Sequence, residues 1–167
     1  MTAEQANQAE TETLEIALDR GGLPVSAMSS LLRAVQAALR EMARNDDETR
    51  EMFSREPQPI LRVSTDVSGD ELILSFGFAD PTDSAPLERV SARTFDTFGA
   101  QIGQYLKSLP QRGLWGQTVS GPRRRSQASE MTKRLHQVCV ELRRFKQARL
   151  RCNRLTILFE GDRMQIE

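Results

Sequence analysis

Apolar and polar residues alternate from Thr13 to Asp19, with Leu14, Ile16 and Leu18 on one side and Glu15 on the other, so the stretch reads as a half-buried β-strand. Gly21 and Gly22 supply a turn. From Ser26 the period changes. Met28, Leu31, Leu32, Val35, Leu39 and Met42 recur at three- and four-residue spacing, which predicts an amphipathic helix with Ser26 as its N-cap. Asn45, Asp46 and Asp47 end that helix and open a short further turn reaching to near Arg55, closed by Pro57 and Pro59.

Two more strands are expected, Ile60 to Val67 and Leu72 to Ala79, joined by Ser68-Gly69-Asp70 as an antiparallel hairpin. Gly77, between Phe76 and Phe78, predicts a bulge or a close backbone approach, and DPTDSAP at 80–86 is a surface loop. Ser91 is read as the cap of a helix whose stripe is Phe95, Phe98, Ile102, Leu106 and Leu109, ended by Pro110. A long Arg-rich connection at 111–126 leads to the most regular helix of the chain, with Met131, Leu135, Val138, Leu142 and Phe145 in one narrow arc. Lys133 and Arg144 fall opposite that arc. Leu150 and Cys152, then Leu155 to Phe159, then Met164 to Ile166 after Gly161-Asp162 read as an antiparallel meander.

The order of these elements predicts an α+β fold: an antiparallel sheet of about five strands with three main helices packed on one face. Residues 1–12 are polar and are expected to form a flexible N-terminal lead, with 13–167 as a single domain. A chain of 167 residues is long enough for one sizeable core, burying roughly 70% of its unfolded surface. With two cysteines, no apolar leader and no membrane-length apolar run, the expected setting is a bacterial-type reducing cytoplasm, without a membrane partner.

Charge changes the picture more than composition does. The formal net charge is +0, yet residues 1–100 hold 9 Arg against 18 Asp and Glu, whereas 101–154 hold 13 Lys and Arg against Glu130 and Glu141. Such polarity signals an acidic partner, nucleic acid, or mutual attraction between the two halves.

Chemistry-bearing patterns are few. His136 and Cys139 stand at i and i+3 on the predicted third helix, where a nucleophile pair is conceivable, but no third orienting residue is identifiable. His136, Cys139 and Cys152 exhaust the histidines and cysteines, too few for a zinc site without a carboxylate. No phosphate-cradling glycine loop occurs. Asp46, Asp47, Glu48 and Glu51 suit helix capping, and Asp80 and Asp83 suit turns. The reading therefore assigns no catalytic residue, no metal and no cofactor, and favours a protein that is not an enzyme.

One constellation stands out: Arg112, Arg123, Arg124, Arg125, Lys133, Arg134, Arg143, Arg144, Lys146, Arg149, Arg151 and Arg154. The leading expectation is a non-enzymatic protein-interaction or assembly module whose partner is another protein or a second copy of itself. Leu114 and Trp115 would be its apolar anchor, and Arg123, Arg124 and Arg125 would meet an acidic surface. The alternative is a DNA- or RNA-binding protein that sets Lys133, Arg134, Arg143, Arg144, Lys146, Arg149 and Arg151 on phosphates, using the basic 112–154 region. An enzyme with an unrecognised carboxylate site is the third reading.

Overall fold

The computed structural model describes residues 14–19, 21, 23–52, 55–108, 130–153, 155–160 and 163–166. The polar lead, the 109–129 connection and Arg154 lie outside them. In chain order the elements are β1 (Leu14–Asp19), α1 (Val25–Asn45), α2 (Asp47–Met52), β2 (Gln58–Thr65), β3 (Glu71–Ala79), α3 (Glu88–Ser108), α4 (Glu130–Leu142), β4 (Ala148–Cys152), β5 (Leu155–Glu160) and β6 (Arg163–Ile166). The strands form one 6-stranded sheet in the order β2-β3-β1-β4-β5-β6. Every pairing is antiparallel. This is the α+β arrangement expected, with one strand more than the five anticipated.

The first strand becomes the middle of the sheet because it is the strand that can be buried on both sides of its ladder. Leu14, Ile16 and Leu18 are fully buried, paired across to Phe76, Leu74 and Leu72 on β3 and to Cys152, Leu150 and Ala148 on β4. This face meets the helices: α1 contributes Leu31, Val35 and Leu39, α3 contributes Phe95, Phe98 and Ile102, and α4 contributes Leu135, Val138 and Leu142. Phe78 and Phe95 stack at 6.2 Å between β3 and α3. Glu15, Asp19, Glu71, Arg149 and Arg151 occupy the opposite, uncovered face by the period of two.

Two caps differ from expectation. Helix α1 starts at Val25, and Met28 N–H donates to the Pro24 carbonyl at 3.0 Å, so Ser26 lies inside the first turn. Proline's fixed φ, here −67°, sets Pro24 at the cap without a side-chain bond. Helix α3 starts at Glu88, leaving Ser91 a turn inside. There the Ser91 hydroxyl donates to the Leu87 carbonyl at 3.0 Å and accepts the Phe78 N–H at 3.1 Å, tying α3 to β3. Gly77 is also not a bulge, since the β2–β3 register runs unbroken through Ile60↔Gly77. Phe145, expected on the third helix, lies just past its end but is buried.

The junction between α1 and α2 is fixed from outside. The Asp46 carboxylate accepts both the Arg93 Nε–H (3.0 Å) and an Arg93 Nη2–H (2.9 Å) from α3, together with the Thr49 hydroxyl at 2.5 Å. Arg93 also pairs with Glu48. This arginine fork holds the Asp46 pKa down, from 3.8 to about 2.

Candidate functional site

The basic residues do not converge. Lys133 and Arg134 project from α4 and pair with Glu130 at 3.6 and 4.0 Å. Arg144, just past the helix, donates to Glu141 at 3.2 Å; that carboxylate is buried and also accepts from Gln137 at 2.8 Å. Arg143 is half-buried and Lys146 exposed in the same turn. All of these belong to the helical layer, whereas Arg149 and Arg151 stand on the uncovered sheet face on the other side of the domain. There they are interspersed with acid. Arg149 reaches diagonally over the small side chain of Ala17 to Glu71, at 3.4 Å, and Arg151 stands opposite Glu15 in the register. Leu114, Trp115, Arg112, Arg123, Arg124, Arg125 and Arg154 lie outside the described residues.

The histidine-cysteine pair is not assembled for nucleophilic chemistry. Cys139 is fully buried, and burial pushes its pKa up to about 12, so the thiolate is not populated near neutral pH. His136 hydrogen-bonds through Nδ1 to the Tyr105 hydroxyl of α3, with the rings edge-on at 6.0 Å. Burial, and then Arg143, lower the His136 pKa, which favours the neutral ring. Cys152 donates to the Phe95 carbonyl at 2.9 Å in the core. Among the described residues no group of three or more His, Cys, Asp or Glu could hold a metal ion. The two shifted carboxylates, Asp46 and Asp66, are both pushed down, Asp46 chiefly by Arg93 and Asp66 chiefly by the Ser68 hydroxyl. That direction suits fixed anions, not proton donors.

A different surface is left unfinished by the fold. Among the described residues β2 is the outermost strand, 8 residues long and paired on one edge. Its Leu61 and Val63 stand opposite Phe76 and Leu74 and so share the core-facing side of the sheet, yet they are 38% and 59% exposed. Among the described residues the helices leave both of them exposed. On the other face Ile60, Arg62, Ser75, Gly77, Pro86 and Leu87 surround a groove of about 630 Å³. Gly77 contributes to its floor: a Cβ there would meet Ile60 and Ser91 only at an ordinary 3.7 Å, so the missing methyl leaves space. Arg62 is exposed and has no ion-pair partner among the described residues.

Sequence reasoning missed this surface because it placed Ile60 to Val67 in a strand without its position in the sheet. Strand order reveals that, among the described residues, β2 is the outer strand and both side chains are exposed. A scan against protein-family models finds no match, and searches of curated proteins and of solved structures find none either. Among the described residues no helix is long and apolar enough to cross a membrane.

Proposed function

We propose that this protein is a non-enzymatic interaction or assembly module whose working surface is the free edge of β2. One observation carries the reading: an edge strand of 8 residues with unbroken register presents Leu61 and Val63, 38% and 59% exposed, beside backbone groups that no described residue pairs. Such an edge is a template for an incoming strand, in which main-chain hydrogen bonds supply affinity and alternate side chains supply specificity. The groove beside Gly77 offers the side-chain pocket that this mode uses.

The placement of charge favours a protein partner over a phosphate backbone. Arg149 and Arg151 share their face with Glu15 and Glu71, so that face offers an anionic polymer as much repulsion as attraction. Two free, buried cysteines fit work in a reducing cytoplasm.

A photo-cross-linking amino acid placed at position 63, compared with one at the exposed Arg40 of α1, tests the reading in cells that make the protein. Position 63 should give protein adducts and position 40 should not. Equal yields at both positions would overturn it.

A further inference from the structure

Resting on that reading, we infer that the strand received at the β2 edge is β2 of a second copy, paired antiparallel about a two-fold axis at Val63. Three features select this occupant. The first is the contrast between the two ends of the sheet. β6 is 4 residues long and begins with Arg163, a short and charged edge of the kind that resists pairing. β2 has twice that length, and of the five exposed large hydrophobics among the described residues three, Leu61, Val63 and Val67, lie on it or in the turn that follows.

Register gives the second feature. Directly opposed residues share a face, so a two-fold axis can centre on Leu61, Arg62 or Val63. Centring on Arg62 sets two arginines directly opposite, which is repulsive. Centring on Leu61 puts Arg62 opposite the partner's Ile60 with Gln58 and Arg62 as its diagonal neighbours, and no acid within reach. Centring on Val63 puts Arg62 opposite the partner's Ser64 with the partner's Arg62 and Asp66 as its diagonal neighbours, so the two registers share the Arg62 diagonal and only this one adds an acid. Asp66 continues the strand's face, since its N–H donates to the Glu71 carbonyl at 3.2 Å and so extends the register one step past Thr65↔Leu72. In this pairing Leu61 lies opposite the partner's Thr65, and the two Val63 and two Leu61 side chains make one apolar strip on the helix side. Pro59, which has no N–H to offer the ladder, falls at its end.

The third feature is electrostatic. Arg62 lacks an acidic partner within its own chain among the described residues, and a second copy brings Asp66 diagonal to it, a carboxylate that also accepts the Ser68 hydroxyl and the Glu71 N–H of its own turn. The formal net charge of +0 means that two copies approach without long-range repulsion.

The test is the mass of the full chain in solution over a wide concentration series, by sedimentation or light scattering. Wild type should pass from monomer to dimer, and Val63→Lys should remain monomeric with an unchanged melting temperature. Arg62→Glu should weaken the dimer about tenfold, because symmetry counts the altered contact twice. Adding Ser64→Lys to Arg62→Glu should restore it, since those positions oppose each other only in the Val63-centred register. A dimer indifferent to both Val63→Lys and Arg62→Glu would overturn the proposal, and failure of the double variant to recover would overturn the register. A wild type monomeric throughout, whose position 63 still cross-links a different protein, would overturn self-pairing and leave the interaction reading standing. A monomer without adducts would remove both.

Discussion

Acid should weaken this fold through Asp46, and replacing Asp46 with Asn isolates that effect. The Asp46 backbone N–H closes α1 on the Ala43 carbonyl, while its carboxylate accepts from Thr49 at the start of α2 and receives both arms of the Arg93 fork. Asn is a comparable N-cap, so the substitution removes the charge and spares the cap. In the folded chain the Asp46 pKa is lowered from 3.8 to about 2. A depressed pKa means stabilisation that is complete above 3.8 and lost as pH falls through the folded value of about 2. At about 1.4 kcal/mol per unit the full shift corresponds to roughly 2.5 kcal/mol. The site is open to solvent, with side-chain exposures of 22% for Asp46 and 47% for Arg93, and screening reduces the expected value. We expect about 1–1.5 kcal/mol. Urea unfolding of wild type and Asp46→Asn across the acid range measures it as a difference of differences, which cancels every other carboxylate. The gap should be present near neutral pH and close as pH approaches about 2. A gap that does not change with pH would refute the argument, because its origin would then not be the Asp46 charge.

Two further perturbations probe the core. Phe95→Ala removes a fully buried ring that packs on Phe78 at 6.2 Å, and should cost about 3–5 kcal/mol in chemical unfolding; a loss below about 1 kcal/mol would show that the site collapses around the gap. Cys139 and Cys152, both buried and with pKa pushed up to about 12, should resist thiol reagents in the native protein and react fully once it is unfolded, so rapid labelling of the folded chain would contradict the core described here.

Element type and order were readable because each element carries its own period. The two-residue alternation of β1 and β4 and the three-four spacing in α1, α3 and α4 are local signals, and the structure keeps them. Caps were less readable. Ser26 and Ser91 have the right chemistry, but the chain enters α1 through a proline whose φ already fits, and spends Ser91 on joining Phe78 to Leu87. Both outcomes depend on what lies next to the helix start in space. The candidate site was unreadable for the same reason on a larger scale. Leu61 and Val63 have the alternation of core residues, and their exposure follows from β2 being last in the sheet among the described residues, which a local pattern does not encode. The anchor expected at Leu114 and Trp115 lies outside the described residues.

The polarity of charge along the chain bears on how such a surface would work. Arg149 with Glu71 joins the basic stretch to the acidic one across β1, but Arg44 with Glu56 and Arg93 with Asp46 are pairs internal to the acidic stretch, and Lys133 with Glu130 and Arg144 with Glu141 are internal to the basic stretch. Linear segregation therefore becomes local neutralisation in three dimensions. Exposed pairs of this kind add little stability, at most about 1 kcal/mol each, yet they cancel the field that a basic run would otherwise project. Where the described charges neutralise one another locally, recognition falls to short-range fit. At the β2 edge that fit consists of backbone groups in register, two apolar side chains with no cover, and one arginine without an acid of its own among the described residues. Salt should accordingly matter little to binding there, since only the Arg62 contact is screened while the ladder and the apolar strip are not.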